Sequence, residues 1–240
     1  MKNKVYHLAI WALIMLQGVA IKVVAQVADP ASYLSTIKAE LRKQWPANRN
    51  INLVFHGHSV PSGYAKTPLV NTFGSYPYQL LALLKMEYPY AVINIIVTAK
   101  GGENSIQGAG RFERDALIHQ PDVLFIDYAL NELDTDPKET YAAWDSMIKK
   151  ALARNIKVIL LTPSPDQRVN LADRDNSLKR NTDQIIQLAN DNHIGVANAF
   201  GAFNTLYAKG DSLKNYMAQV NHPNQSGNAL IAQELLKWFK

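Results

Sequence analysis

No cysteine occurs among the 240 residues, which removes disulfide frameworks, thiolate metal sites and a lipid-anchoring thiol from consideration. There is also no low-complexity tract, no internal repeat and no linker that would divide the chain. Charge of one sign is missing as well: 25 Lys and Arg stand against 20 Asp and Glu, and Lys2, Lys4 and Lys22 fall in the first 25 residues with no acid to offset them. The remainder carries about +2, with both signs interspersed as in PKETYAAWDSMIKKALARN (137–155), so no nucleic-acid partner is implied. Long hydrophobic runs are scarce. The apolar stretch from Leu8 to Ala20 falls short of the roughly 20 residues that span a bilayer, and Lys22 interrupts its continuation.

What is present begins with a leader. A basic start, the apolar run and the small or modest residues Val23 and Ala25 predict a signal peptide over residues 1–25, cleaved after Ala25. Export to the periplasm or the medium follows, with no stable membrane insertion after cleavage. Residues 26–240 are expected to form a single domain, long enough for a substantial core.

Five apolar runs read as buried strands: INLVF (51–55), AVINIIV (91–97), DVLFIDY (122–128), KVILLT (157–162) and IGVAN (194–198). Most are rich in valine and isoleucine without strict alternation, the pattern of strands covered on both faces. Helical spacing separates them, at Tyr141, Trp144, Ile148 and Leu152, at Leu178, Ile185 and Ala189, and at Ala229, Ala232, Leu236 and Phe239. A leading helix is expected over residues 29–44. The alternation predicts an α/β fold, a three-layer α/β/α sandwich around a mostly parallel five-stranded sheet, with every strand's C-terminal end along one edge. Loops at that edge are where such folds bind ligands.

Four segments placed at that edge carry unusual polar content: HGHSVPSGY (56–64), TAKGGENSIQGAGRF (98–112), ALNELD (129–134) and NHPNQSGN (221–228). Together they supply a serine, amide donors, an asparagine and a histidine, the inventory for acyl transfer. Taken singly, Ser59 and Asn131 read as caps or turn formers, Gly102 as a residue permitting positive φ, and His222 as a helix cap. Their order along the chain, each at an element boundary, favours the joint reading.

In these four blocks the chain resembles the SGNH (GDSL-like) hydrolase family, over nearly the whole of residues 26–240. Gly57-His58-Ser59-Val60-Pro61 lacks the second glycine of the G-x-S-x-G elbow of α/β-hydrolases and follows the first strand. The resemblance implies a flavodoxin-like SGNH fold and a serine esterase that needs no cofactor. It assigns Ser59 as nucleophile, His222 as general base, and the Ser59 N–H, Gly102 N–H and Asn131 side chain as oxyanion donors. The chain departs from the family pattern at His58, where an aspartate is usual, and at Ala129 and Glu132. It departs again at Gln219, which stands where a carboxylate would orient His222. That leaves a backbone carbonyl behind the imidazole, another acid reaching it, or weak activity; the first, with Gln219 contributing little, is the expectation.

His56 and His58, two residues apart and followed by His222, raise a zinc reading, but no carboxylate or histidine follows at a recognisable ligand spacing, so no metal is expected. Glu103, Asp127 and Asp166 are expected in surface or helix-start roles. Tyr64, Tyr76, Tyr78 and Trp144 suit either sugar stacking or packing. The substrate is expected to be a small-molecule or polysaccharide ester, foremost O-acetylated carbohydrate, as for many exported relatives. A lipid or short-chain ester hydrolase, and a degenerate hydrolase retained as a carbohydrate-binding module, stand as alternatives.

Overall fold

The computed structural model describes residues 27–240; the expected leader lies outside them. The five apolar runs form one sheet: β1 (Asn50–Gly57), β2 (Val92–Val97), β3 (Val123–Asp127), β4 (Lys157–Leu161) and β5 (Gly195–Ala197). Their order is β2-β1-β3-β4-β5, and every neighbouring pair is parallel. Strand order reverses at β1, so the loops after β1, β2 and β3 converge on one crevice, where folds of this topology hold ligands.

Alternate strand residues enter two separate cores, as the period of a pleated strand demands. Leu53, Phe55, Val123, Phe125, Ile159 and Leu161 face one layer. Val54, Leu124, Ile126, Val158 and Leu160 face the other. The first layer is α1 (Ser35–Leu41), α2 (Tyr76–Glu87), α6 (Ala199–Ala208) and α7 (Gln225–Leu236); the second is α3 (Ser105–Asp115), α4 (Pro137–Leu152) and α5 (Ser177–Asn192). Phe55 and Phe125 stack at 4.4 Å between centroids in the first core, where truncation of either to alanine costs about 3–5 kcal/mol.

The leading helix is shorter than the expected 29–44. Asp29 takes hydrogen bonds from the Ala31 amide and the Ser32 hydroxyl, so the chain turns before α1 begins. The apolar face expected at the C-terminus holds at Ala232, Leu236 and Phe239, which are buried, and is widened by Ile231 and Leu235, whereas Ala229 is half-buried. Two helices that adjoin the crevice have well-made starts. Asn104 and Gln107 form a reciprocal capping box at α3, and the Asn224 side chain accepts from the Gly227 amide at α7, satisfying donors that a helix start leaves open.

His56 is fully buried within β1. Its Nε2 donates to the Gly108 carbonyl at 3.1 Å and its Nδ1 pairs with the Thr98 hydroxyl at 2.8 Å, so neither nitrogen is turned towards the crevice. Burial, reinforced by the Arg111 guanidinium, pushes its pKa from 6.5 down to about 4. Below pH 6.5 the unfolded chain therefore takes up a proton that the folded chain refuses until the pH nears 4. The stability His56 confers is complete above 6.5 and lost as the pH falls through that window. The thermal midpoint of the wild type should drop on acidification from 6.5 to 4 more steeply than that of His56→Asn; parallel slopes would remove His56 as the source.

Candidate active site

Ser59 lies in the turn directly after β1, and that turn is seated on the end of β3. The His58 amide donates to the Asp127 carbonyl at 3.1 Å, and Gly57 stands opposite Asp127 in the strand register. A Cβ on Gly57 would come within 2.4 Å of that carbonyl oxygen, so the close approach requires glycine. Val60 N–H donates to His58 Nδ1 at 3.2 Å, and the Ser62 hydroxyl donates to the His58 carbonyl at 3.0 Å. The turn is fixed on both sides of the serine.

His222 arrives from the far end of the chain. A two-stranded antiparallel ribbon, β6 (Met217–Gln219) and β7 (His222–Pro223), pairs Gln219 with His222. It brings His222 Nε2 to 2.8 Å from Ser59 Oγ. Both side chains are buried to the same degree, each residue 6% exposed. For Nε2 to accept the serine proton, Nδ1 must carry the ring's own proton. That proton has a backbone partner, the Ala65 carbonyl, at 3.0 Å. The carbonyl is presented by a short reversal in which Tyr64 bridges Val70 and the Ala65 amide donates to the Leu69 carbonyl.

Gln219 also touches the ring, with Nε2 2.7 Å from His222 Nδ1. Its orientation is set by the adjacent loop: Oε1 accepts from the Thr67 amide at 2.9 Å, and Nε2 donates to the Thr67 hydroxyl at 3.1 Å. An amide nitrogen facing a protonated Nδ1 is donor against donor. In this tautomer the acceptor is the Ala65 carbonyl, and Gln219 ties the ribbon to the 65–67 loop. Burial lowers the pKa of His222 from 6.5, the Ala65 carbonyl opposes that shift, and His58 adds to it.

Gly102 and Asn131 complete the crevice. Gly102 has φ +80, and a Cβ on it would meet nothing within 4 Å; the backbone turns there, beside open space, in a conformation that favours glycine. Asn131 sits in a 3-10 turn after β3, at φ −91 and ψ 17, in the bridge region where many active-site residues lie. One of its amide hydrogens goes to the Glu103 carbonyl at 2.8 Å. A primary amide has two, and Asn131 lines the same cleft as Ser59, Gly102, Gln219 and His222.

That cleft has a volume of about 340 Å³, with Tyr64, Thr67, Gly101 and Asn221 completing its lining. A second hollow of about 330 Å³ shares Gly102, Asn131 and Asn221 with it and continues past Asp134, Thr135 and Arg168. A larger depression of about 750 Å³ near Tyr141 and Arg180 is lined by neither serine nor histidine; the Ser59–His222 pair stands in the smaller cleft.

The expectation of surface or helix-start roles is corrected for two acids. Asp127 and Asp166 are buried. Asp166 accepts from the amide and guanidinium of Arg168, fixing that residue at the rim, and the Asp127 carbonyl supports the Ser59 turn. Glu103 holds Arg111 through both carboxylate oxygens. Of the aromatics, Tyr76 and Trp144 are fully buried, whereas Tyr64 tilts beside His222 at 6.0 Å between centroids. Glu132 is also buried, and burial raises its pKa. It accepts from the Ser105 amide and the Trp144 indole. Sequence reasoning missed Ala65, Thr67, Asn221 and Arg168. Among the described residues, no group of three or more His, Cys, Asp or Glu side chains is arranged to hold a metal ion.

A model of the GDSL-like lipase/acylhydrolase family matches residues 55–230, from the end of β1 into α7. The chain belongs to this family, whose members hydrolyse ester bonds. A search of curated proteins finds no match. Among solved structures, the chain is similar to a two-domain esterase (CEX) active on acetylated mannans, at 18% identity and TM-score 0.72, covering 90% of this chain and 54% of that one. It thus spans about half the length of that relative. It is also similar to Axe2, an acetylxylan esterase from Geobacillus stearothermophilus, at 20% identity and TM-score 0.69, covering 79% and 94% of the two chains. The acetyl xylan esterase AlAXEase gives 22% identity and TM-score 0.64, with 77% and 98% covered. At these identities the likeness establishes the shared fold, a five-stranded parallel sheet between two helical layers.

Because His222 is held by a carbonyl and not a carboxylate, Gln219→Ala should change turnover by less than about tenfold, against a hundredfold or more for His222→Ala. Gln219→Glu places a carboxylate oxygen at Nδ1 and keeps an acceptor for the Thr67 amide. It favours the imidazolium, so it should raise turnover and move the acid limb of kcat/KM to higher pH. The wild-type limb is expected below pH 6.5. Equal, severe losses in Gln219→Ala and His222→Ala would assign the orienting role to Gln219.

Proposed function

We propose that this chain is an exported serine esterase that cleaves carboxylic esters through an acyl-enzyme and deacetylates O-acetylated carbohydrate. The observation that carries the reading is the 2.8 Å contact between Ser59 Oγ and His222 Nε2, made at the wall of a cleft that Gly102 and Asn131 also line. Ser59 attacks the ester carbonyl while its proton passes to His222 Nε2. The Ser59 and Gly102 N–H groups and the free Asn131 amide hydrogen stabilise the negative oxygen of the tetrahedral intermediate. Collapse expels the alcohol, which takes the proton back from His222; water then attacks the acyl-serine by the same route.

The carbohydrate assignment is supported by the lining. Along the cleft and its continuation, Tyr64, Thr67, Asn131, Asp134, Thr135, Arg168, Gln219 and Asn221 offer polar groups, with Leu130 and Leu133 as the apolar exceptions. Such a surface suits a hydroxyl-rich alcohol better than an acyl-lipid. The relatives active on acetylated mannan and xylan point the same way. Export rests on the leader expected over residues 1–25, and no helix among the described residues is long and apolar enough to cross a membrane.

Ser59→Ala should abolish hydrolysis of p-nitrophenyl acetate and labelling by a fluorophosphonate, with folding unchanged. Wild-type hydrolysis in that variant rejects the nucleophile. Asn131→Ala should lower turnover about a hundredfold to a thousandfold with little change in KM, whereas an effect confined to KM would make Asn131 a substrate-binding group. Acetate release from acetylated xylo- or manno-oligosaccharides should exceed cleavage of a decanoyl ester in kcat/KM; the opposite order would favour the lipid reading.

A further inference from the structure

Behind the cleft lie four polar side chains that take no part in the proposed chemistry. His58 is 1% exposed, Asp127 4%, Tyr76 0% and Asn228 5%. They come from four segments of the chain, and contacts of their side chains, together with the Tyr76 main-chain amide, connect them in series. Asp127 Oδ1 lies 3.2 Å from His58 Nε2, an ion-pair distance at which the geometry makes no hydrogen bond, and that buried nitrogen has no hydrogen-bond partner. Asp127 Oδ2 accepts from the Tyr76 hydroxyl at 2.9 Å. The Tyr76 amide donates to Asn228 Oδ1 at 3.0 Å. Asn228 Nδ2 then donates to the carbonyls of Pro223 and Asn224, at 3.2 and 3.0 Å.

Both ends of this chain meet the catalytic segments without touching the reacting atoms. At one end His58 precedes Ser59 and takes the Val60 amide, bracketing the nucleophile. At the other, Pro223 and Asn224 directly follow His222. A chain of buried polar groups is a poor way to gain stability, because well-packed apolar side chains of the same volume would often serve as well or better. What it supplies is a defined relative position, since its hydrogen-bonded links from Asp127 through Tyr76 to Asn228 are directional. The Tyr76 phenol remains a donor throughout the working pH range, as burial and then the neighbouring Asp127 carboxylate both push its pKa upward.

We propose that His58, Asp127, Tyr76 and Asn228 are positioning residues that hold the Ser59 turn and the His222 loop in register, fixing the nucleophile-to-base distance from behind. The inference rests on the reading of Ser59 and His222 as nucleophile and base. It also accounts for the histidine that precedes the nucleophile. With the usual aspartate absent there, the carboxylate comes instead from the end of β3 and reaches the turn through His58.

Tyr76→Phe deletes one hydroxyl and keeps the ring in its packing. Asn228→Ala cuts the chain at its other end and tests the same claim independently of how the first variant folds. For each, kcat and KM with p-nitrophenyl acetate, the rate of fluorophosphonate labelling and the thermal midpoint are measured. Misplacing reacting groups by a fraction of an ångström to an ångström costs up to about a hundredfold, so each variant should lose about tenfold or more in kcat and in labelling rate, with KM unchanged. Contacts in one network are not additive, so the double variant should lose little more than the worse single one. Losses confined to the thermal midpoint, wild-type kcat in either folded variant, or losses that multiply in the double variant would each overturn the proposal. Ser59→Ala in the same assay separates the two readings. If it retains hydrolysis, the nucleophile is wrong; if it is silent while Tyr76→Phe and Asn228→Ala run at full rate, the positioning chain alone fails.

Discussion

Gly57 and Asp127 face each other across two parallel strands, and the space between them admits no side chain on the glycine. From that contact the rest of the site can be derived. It ends β1 and β3 at the same height, turns the chain at His58, and sets Ser59 at the point where strand order reverses. The loops after β2 and β3 are then obliged to flank it, because parallel strands deliver their following loops to one edge. Gly102 and Asn131 reach the cleft for that reason. His222 alone arrives by another route, on a ribbon whose pairing with Gln219 decides which neighbour the imidazole meets.

The family resemblance and the site geometry bear on different parts of the chemistry. Membership accounts for ester hydrolysis and for the fold, which the acetylated-mannan and acetylxylan esterases share at low identity. It does not account for an imidazole backed by a main-chain oxygen where a carboxylate is usual. A peptide carbonyl fixes the tautomer as well as a carboxylate does, but it carries no full negative charge to balance an imidazolium. Burial keeps His222 neutral further into the acid range, the Ala65 carbonyl opposing it only in part, and no full negative charge stands behind the ring to support its charged form.

All five strands were legible because each is covered on both faces and so reads as an unbroken apolar run. Ser59, Gly102, Asn131 and His222 were legible as positions because each stands at an element boundary in a recognisable order. Ala65 was not, since a backbone carbonyl has no residue signature and alanine advertises nothing. Asp127 was misread because a carboxylate at a strand end is ordinarily solvated. Its partners His58 and Tyr76 lie 69 and 51 positions away in the chain, beyond any local pattern. Asn228 closes the polar segment NHPNQSGN but was given no role, since its partner is the backbone of Tyr76, 152 positions away. The extent of the leading helix failed for a smaller reason: Asp29 bonds its own neighbours, and helical spacing does not register that competition.

Glu132, the residue that follows Asn131, has its carboxylate against the Trp144 indole, at 3.0 and 3.2 Å from the ring nitrogen. Trp144 is wholly buried, in the core layer of α4. Of the other tryptophans among the described residues, Trp45 is 85% exposed and Trp238 belongs to the opposite core. Indole emission depends on the field and the protonation of whatever its N–H contacts. The enzyme therefore carries a native fluorophore wired to the turn that presents Asn131, and a shift of that turn during a catalytic cycle becomes an optical signal from a site with no added label.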